Sequence, residues 1–255
     1  MKNILLCDGG SPDRVLPLCE KYKLGIEIQG FYNTNNLEIT DEIINSYKRI
    51  LPKDINRYLH APFWDLSLGS GNKKIVEVTR YYFDYAHDVA EKLGCLGIVV
   101  HHGYVPHTSY PPNWIKRAGA FWQDFFLSHS SEIKMFMENH LEQTTEMLQE
   151  IVDTCQNDRL FVNLDIGHAY CFSGLPVNDW IEQLGHRIKY VHLHQNNGIN
   201  DDHMGLRKGK ISIKDMLLAL EKHAPEAVWA LECDLEDMED SICFLAEAGF
   251  LQGPV

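Results

Sequence analysis

Eight short apolar segments alternate with longer segments of helical periodicity along the whole chain. Segments with helical spacing of apolar residues include residues 41–50, 75–93, 141–155 and 213–222. Strands that alternate with helices of this length predict parallel βαβ units, and eight such units predict a single (β/α)₈ TIM barrel. A length of 255 residues is typical of that fold. The predicted strands are residues 3–7, 25–29, 57–60, 96–101, 133–138, 160–165, 188–192 and 227–232.

No linker, repeat or low-complexity tract interrupts this alternation, so we predict one domain over residues 1–255. The longest irregular segment covers residues 102–113, which follow the fourth predicted strand and are rich in Pro and Tyr. A loop of that length at the end of a strand is either a lid over a substrate or a surface excursion. Both alternatives remain open.

The charge balance limits the class of binding partner, because the chain has 36 acidic and 23 basic residues and a net charge of −13. Such a surface repels nucleic-acid phosphates, so we expect a small-molecule substrate and no nucleic acid. The chain opens MKNILLCDGG, which is not an export signal, and no apolar run approaches the ~20 residues of a membrane span. We therefore expect a cytoplasmic protein without membrane contact, and a homo-oligomer is one of the assembly states left open.

Cysteine usage agrees with a reducing compartment, since seven Cys are scattered along the chain without a CxxC pair. We interpret Cys7, Cys95 and Cys155 as apolar core residues. The pattern does not support a thiol nucleophile.

Six of the eight predicted strands end in His, Asp or Glu, which are the residue types that bind divalent metals. In a barrel, the C-terminal ends of all strands meet at one face, so these six side chains are predicted to share one bowl. Several imidazoles and carboxylates without Cys are typical of Zn²⁺, Mn²⁺ or Fe²⁺ in a reactive site. The six residues are His60, His101, Glu138, Asp165, His192 and Glu232.

Three local patterns add ligand types to this bowl. The sequence DIGH at residues 165–168 places a carboxylate at a strand end and an imidazole one tight turn later, which the glycine permits. The sequence HLH at residues 192–194 points two imidazoles to the same side of a strand. The sequence DDH at residues 201–203 supplies another carboxylate and imidazole from the following loop.

The ordered set of motifs resembles the xylose isomerase-like barrels, also called AP endonuclease family 2. The resemblance covers roughly residues 56–235 and rests on the order of the motifs. The motifs are HAP at residues 60–62, HHG at 101–103, MEN at 137–139, LDIGH at 164–168, VHLH at 191–194, DDH at 201–203 and LE at 231–232.

The two branches of this family imply different ligand sets. The resemblance to the endonuclease IV branch implies a three-zinc site formed by His60, His101, Glu138, Asp165, His168, His192, Asp201, His203 and Glu232. The sugar isomerase and epimerase branch implies one metal held by Glu138, Asp165, His192 and Glu232. In that branch the two glutamates flank the substrate carbon as catalytic residues.

The chain departs from the endonuclease IV pattern at two places. It has HLHQ at residues 192–195 where that branch has HLND, and LRKG at residues 206–209 where that branch has LGEG. The second change adds Arg207 and Lys208, which suit an anionic group on a substrate.

Other candidate substrate contacts have two interpretations each. Trp64 and Trp114 form either a stacking wall for a sugar or base or packing at the barrel rim. His194 and His102 either contact the substrate or support the ligands from behind or at the surface. Glu27 faces the barrel interior if the strand period holds, as a substrate contact or a structural partner.

Two reactions compete. The extra imidazoles favour hydrolysis of a small phosphoester at a cluster of two or three divalent ions, zinc or manganese with iron as a further candidate. The alternative is a sugar or sugar-phosphate isomerase or epimerase that uses one metal, with Glu138 and Glu232 moving a proton. A catalytically idle sugar-binding barrel would be expected to have lost ligands, and all nine are present.

Overall fold

Eight parallel strands form a closed barrel in the order of the sequence, and the last strand pairs with the first. The computed structural model of the protein describes residues 2–251, apart from the side chains of residues 36–38. The strands are β1 (Ile4–Cys7), β2 (Gly25–Ile28), β3 (Arg57–His60), β4 (Gly97–His101), β5 (Lys134–Glu138), β6 (Leu160–Asp165), β7 (Ile188–Leu193) and β8 (Val228–Leu231).

Helices connect successive strands and cover the outside of the barrel. They are α1 (Pro12–Tyr22), α2 (Thr40–Ile50), α3 (Lys73–Leu93), α4 (Pro111–Ser128), α5 (Glu146–Cys155), α6 (Ile166–Phe172), α7 (Val177–Leu184), α8 (Ile213–His223) and α9 (Met238–Glu247). Short 3₁₀ helices cover Thr34–Ile39 and Gly185–Arg187. Local chemistry sets their ends. For α3, the Asn72 side chain accepts a hydrogen bond from the Lys74 amide, and Gly94 ends the helix at a φ of 68°.

The barrel interior is filled from below by an aromatic cluster of Tyr58, Phe136 and Tyr190, whose ring centroids lie 5.0–5.9 Å apart. Side chains two positions further along a strand point to the same side. His60, Glu138 and His192 therefore also face the interior, one layer above these rings. This packing closes the lower barrel and leaves the predicted ligand residues at its C-terminal mouth.

The predicted single (β/α)₈ barrel is confirmed, and each predicted strand agrees with the observed one to within one residue at either end. The predicted irregular segment 102–113 is too long, because α4 already begins at Pro111. Proline at the first helical positions is favourable, since its missing N–H has no helical partner there. Cys7, Cys95 and Cys155 are buried as predicted. Within the part of the chain that the structure describes, none of the helices is long and apolar enough to span a membrane.

Candidate metal centre

The strand-end residues occupy one face of the barrel. His60, His101, Glu138 and Asp165 are the last residues of β3, β4, β5 and β6. His192 lies next to the end of β7, and Glu232 directly follows β8. His168 comes from α6, and Asp201 and His203 come from the loop after β7. The structure brings all nine predicted ligands together in the three groups described next.

The first group surrounds Nδ1 of His192. That nitrogen lies 3.0 Å from Oε2 of Glu232, 3.4 Å from Oε2 of Glu138 and 3.6 Å from Oδ2 of Asp165. The other ring nitrogen, Nε2, lies 2.9 Å from a carboxylate oxygen of Glu27 and donates to it. When Nε2 carries the proton and Nδ1 does not, as metal binding requires, the lone pair of Nδ1 faces the point that the three carboxylates share.

Two further groups adjoin the first. Nε2 of His60 lies 3.7 Å from Oε2 of Glu138, and Nε2 of His101 lies 3.4 Å from Oε1 of the same residue. On the other side, Oδ2 of Asp201 lies 3.1 Å from Nε2 of His168 and 2.9 Å from Nε2 of His203. The two oxygens of Glu138 therefore face different imidazoles, as a carboxylate shared by two cations requires.

Three imidazoles are held by a backbone carbonyl on the side away from the carboxylates. The acceptors for their Nδ1–H groups are Ala61 for His60 at 2.9 Å, Asn139 for His168 at 2.9 Å and Glu232 for His203 at 2.8 Å. This arrangement leaves the Nε2 lone pairs pointing toward carboxylates, which is the usual outer contact of a metal-binding histidine. Among the described residues, the buried oxygens Oε1 of Glu138 and Oδ1 of Asp201 have no hydrogen-bond partner. The donor set and these unpaired oxygens fit divalent cations.

Two carboxyl groups of this centre have pKa values well below their usual range. Burial opposes ionisation, but the imidazoles of His101 and His192 outweigh it and hold the pKa of Glu138 well below its usual range. The same balance, set by His168 and His194, lowers the pKa of Asp165. Burial lowers the pKa of His203, but the hydrogen bond to Asp201 raises it. The net effect raises the pKa of His203 to about 10. A cluster of anionic oxygens in a buried site is electrostatically suited to a cation.

His194 directly follows β7, and its side chain is fully buried. Its Nε2 lies 3.0 and 3.1 Å from the two carboxylate oxygens of Asp165, and its ring stacks on His203 with centroids 4.2 Å apart. A direct contact between His194 and substrate stays a prediction. The observed contacts make it a support for Asp165.

Gly167 is required by the position of His194, since a Cβ atom at residue 167 would lie 1.9 Å from Cε1 of that ring. We expect Gly167→Ala to lower the free energy of unfolding by about 1–3 kcal/mol, the usual cost of overpacking a core. Denaturant unfolding measures it. Gly119→Ala in α4 is the matched control, because the nearest atom to its new Cβ is 3.9 Å away, and it should gain about 0.5–1 kcal/mol. Wild-type stability of Gly167→Ala would contradict the packing described here.

The remaining predicted substrate contacts lie in different surroundings. Trp64 is 45% exposed and packs edge-on against Tyr32 and Phe63, with centroids 5.9 and 6.2 Å away. Phe63 in turn stacks on His101 at 4.6 Å, so these aromatic rings form one wall of the bowl. Trp114 is buried, which leaves the packing interpretation for that residue.

The two loop cations are already paired. Arg207 contacts Asp240 at 3.2 Å and Glu247 at 2.8 Å, and Lys208 contacts Asp237 at 2.5 Å. By contrast, within the described residues every ion pair of the four acidic metal-ligand candidates is to a histidine. These pairs belong to Glu138, Asp165, Asp201 and Glu232.

Sequence reasoning missed three polar residues of the centre and left the role of one open. Asn163 donates to Oε2 of Glu138 at 3.0 Å, and Gln29 donates to Oε1 of Glu232 at 2.7 Å. Tyr32 joins the aromatic wall. Glu27 is the structural partner of His192. The signal for Glu27 and Gln29 was the two-residue period of β2, which turns both toward the ligands.

Comparison with known proteins agrees with this architecture. The family described as xylose isomerase-like TIM barrel matches residues 14–248, which is more than half of the chain. A curated relative, the uncharacterized protein MJ1311 of Methanocaldococcus jannaschii, is 28% identical over 190 residues. The match covers 70% of this chain and 64% of that protein, so the chain spans less than two thirds of the relative's length.

Two solved structures show the same fold. The TTHB071 protein from Thermus thermophilus, soaked with ZnCl₂, superposes with a TM-score of 0.80 at 24% identity and covers 99% of this chain and 100% of its own. A D-tagatose 3-epimerase-like protein superposes with a TM-score of 0.78 at 22% identity and covers 97% of each chain. Likeness at this level of identity establishes the fold alone.

Proposed function

The chain belongs to the xylose isomerase-like TIM barrel family, and on that premise we propose that it is a divalent-metal-dependent isomerase or epimerase of a sugar or sugar-like substrate. The observation that carries the proposal is the convergence of Glu138, Asp165 and Glu232 on Nδ1 of His192. These are the four ligands that the resemblance to the sugar isomerase and epimerase branch implies. The similarity to a D-tagatose 3-epimerase-like protein supports isomerisation better than the hydrolysis that the sequence favoured.

The two glutamates are placed to move a proton. They reach the same nitrogen of His192 from β5 and β8, which are not neighbours in the barrel. When bound, a divalent ion supplies Lewis acidity that polarises a substrate carbonyl. One carboxylate then takes the proton from the adjacent carbon, and the other returns a proton to the opposite face or to the neighbouring carbon. One proton leaves carbon and one returns, so the product is an isomer of the substrate.

The charges around the centre support a substrate without a phosphate group. Arg and Lys side chains commonly bind phosphate in proteins, and the two loop cations Arg207 and Lys208 are paired with acidic residues of α9 and the loop before it. Phe63 and Trp64 offer an aromatic wall, a surface on which the apolar face of a sugar ring packs. A direct phosphate contact by Arg207 or Lys208 stays a prediction.

A second candidate is phosphoester hydrolysis at a cluster of two or three ions. The specific observation in its favour is the presence of two further ligand groups, His60 and His101 with Glu138, and His168 and His203 with Asp201. A one-metal isomerase does not need these imidazoles. They are well placed either to hold additional cations that stabilise the charge of a phosphoryl group or to bind substrate hydroxyls.

Metal content of His203→Ala separates the two candidates. For an isomerase with one ion, the purified variant should keep the wild-type count of one equivalent, because His203 is not among the four proposed ligands. For a multinuclear hydrolase, the count should fall by about one ion from two or three, since Asp201 and His168 alone are a poor site. Elemental analysis of both proteins side by side makes the measurement. A wild-type count of two or three that drops in the variant would contradict the isomerase.

Three further proposals accompany this function. We propose zinc or manganese as the metal, with iron as a further candidate. We expect no cleavage of abasic DNA, because a chain of net charge −13 has little attraction for phosphates. We also expect a cytoplasmic location, and self-association is a further property to be measured in solution.

A further inference from the structure

None of the nine predicted ligands lies on strand β2, yet two side chains at its C-terminal end, Glu27 and Gln29, contact predicted ligands. Glu27 and Gln29 lie two positions apart and face the barrel interior. We propose that they are positioning residues that hold His192 and Glu232 in the orientation that binds the metal. This inference rests on the proposed four-ligand site and concerns residues outside the motifs described above.

Glu27 fixes the imidazole of His192. Its Oε2 accepts the His192 Nε2–H at 2.9 Å and the hydroxyl of Tyr190 at 2.6 Å, and its side chain is fully buried. An anionic acceptor at Nε2 holds the ring plane and makes Nδ1 a stronger donor to a cation. Since Tyr190 belongs to the aromatic cluster below the site, Glu27 ties the ligand to the rigid part of the core.

Gln29 fixes the carboxylate of Glu232. Its Nε2 donates one hydrogen to Oε1 of Glu232 at 2.7 Å and the other to Oε1 of Glu27 at 3.0 Å. Its own Oε1 accepts the Gly9 amide at 3.2 Å, so the orientation of the amide group is determined. Oε1 of Glu232 is thereby engaged, and Oε2 is left toward Nδ1 of His192 at 3.0 Å.

Gln29 is itself held in place by a buried anchor. Asp8, at the end of β1, accepts the backbone N–H of Gln29 at 2.9 Å and the hydroxyl of Tyr47 at 2.7 Å. A neutral amide is the suitable residue at this position, because it donates to two carboxylates at once. A carboxylate at residue 29 would instead repel both Glu27 and Glu232.

The test uses zinc and cobalt alone as probes, so it does not depend on knowing the substrate. The variants are Glu27→Gln, which keeps the shape of the side chain and removes its charge, and Gln29→Met, which keeps the length and removes the amide. The matched control is Glu142→Gln. Its carboxylate forms a buried contact of 2.8 Å with His102 at the same end of the barrel and touches none of the four ligands. Chelator competition gives zinc affinity, the Co²⁺ absorption spectrum gives the ligand geometry, and thermal unfolding gives stability.

We expect both variants to bind zinc about 10–100-fold more weakly than wild type, the usual effect of losing an outer partner of a metal ligand. Their Co²⁺ spectra should change, whereas Glu142→Gln should keep wild-type affinity and spectrum even where it lowers thermal stability. Wild-type zinc affinity and an unchanged spectrum in Glu27→Gln and Gln29→Met would overturn this inference and leave the proposed function intact. An equal loss of affinity in Glu142→Gln would also overturn it. A wild-type protein that binds neither ion would overturn the proposed function and this inference together.

Discussion

Replacement of Glu232 by glutamine is expected to lower turnover by about 10²–10⁴-fold, the usual contribution of a general acid or base. In the wild-type protein, Nε2 of Gln29 donates to Oε1 of Glu232 at 2.7 Å. The glutamine keeps an oxygen that can accept this hydrogen bond, so the side chain retains its position. It cannot accept a proton from carbon. The change therefore removes the proton acceptor and one negative charge from the proposed metal site, with little change of shape.

Deuterium incorporation from D₂O into a panel of unphosphorylated ketoses measures this step, because it follows the proton at carbon for any substrate in the panel. Glu236→Gln is the control. That glutamate lies in the loop four residues further on and pairs with Arg14 at 3.0 Å on the surface, so its loss should leave exchange unchanged. Exchange at the wild-type rate in Glu232→Gln would show that this carboxylate does not move the proton.

Removal of the metal is expected to give the largest change in stability. A ligand that binds only the folded state at about 1,000 times its Kd stabilises by about 4 kcal/mol. For a chain of this size each kcal/mol shifts Tm by about 2–4 °C, so chelation should lower Tm by roughly 8–16 °C. The metal-free protein should still unfold cooperatively, because the barrel has an extensive apolar core that does not include the ligands.

Asp165→Asn should abolish this metal-dependent shift in Tm. Oδ1 of Asp165 accepts the His168 amide at 2.7 Å and caps α6, and an asparagine oxygen replaces that contact. The variant loses the charge that faces His192 and keeps the cap. Thermal unfolding with zinc and with chelator gives the shift, and Asp124→Asn at the exposed pair with Arg80 is the control. Equal metal-dependent shifts in Asp165→Asn and wild type would contradict the assignment of Asp165 as a ligand.

The order of segments along the chain was enough to predict the barrel and the common location of the candidate ligands. Eight apolar segments separated by helical ones leave few ways to bury both faces of a parallel sheet, and closure brings all C-terminal strand ends to one mouth. Residues such as His101 and Glu138 were therefore placed by their position at the end of a segment, without knowledge of any side-chain contact. The start of α4 was placed too late, because Pro111 and Pro112 were interpreted as loop residues when they begin the helix.

The use of the side chains became clear only from the folded barrel. Which nitrogen of His192 faces the carboxylates depends on Glu27, which is 165 residues away in the chain, and the orientation of Glu232 depends on Gln29 across 203 residues. Arg207 and Lys208 likewise form ion pairs with acidic residues near and within α9, and no local sequence pattern indicates these pairs. Strand topology fixes where a residue lies, because backbone pairing has a regular period. Side chains from other strands determine how a ring is oriented, which hydrogen-bond partner it has and whether a charged group is already paired. Those side chains meet only once the barrel is closed.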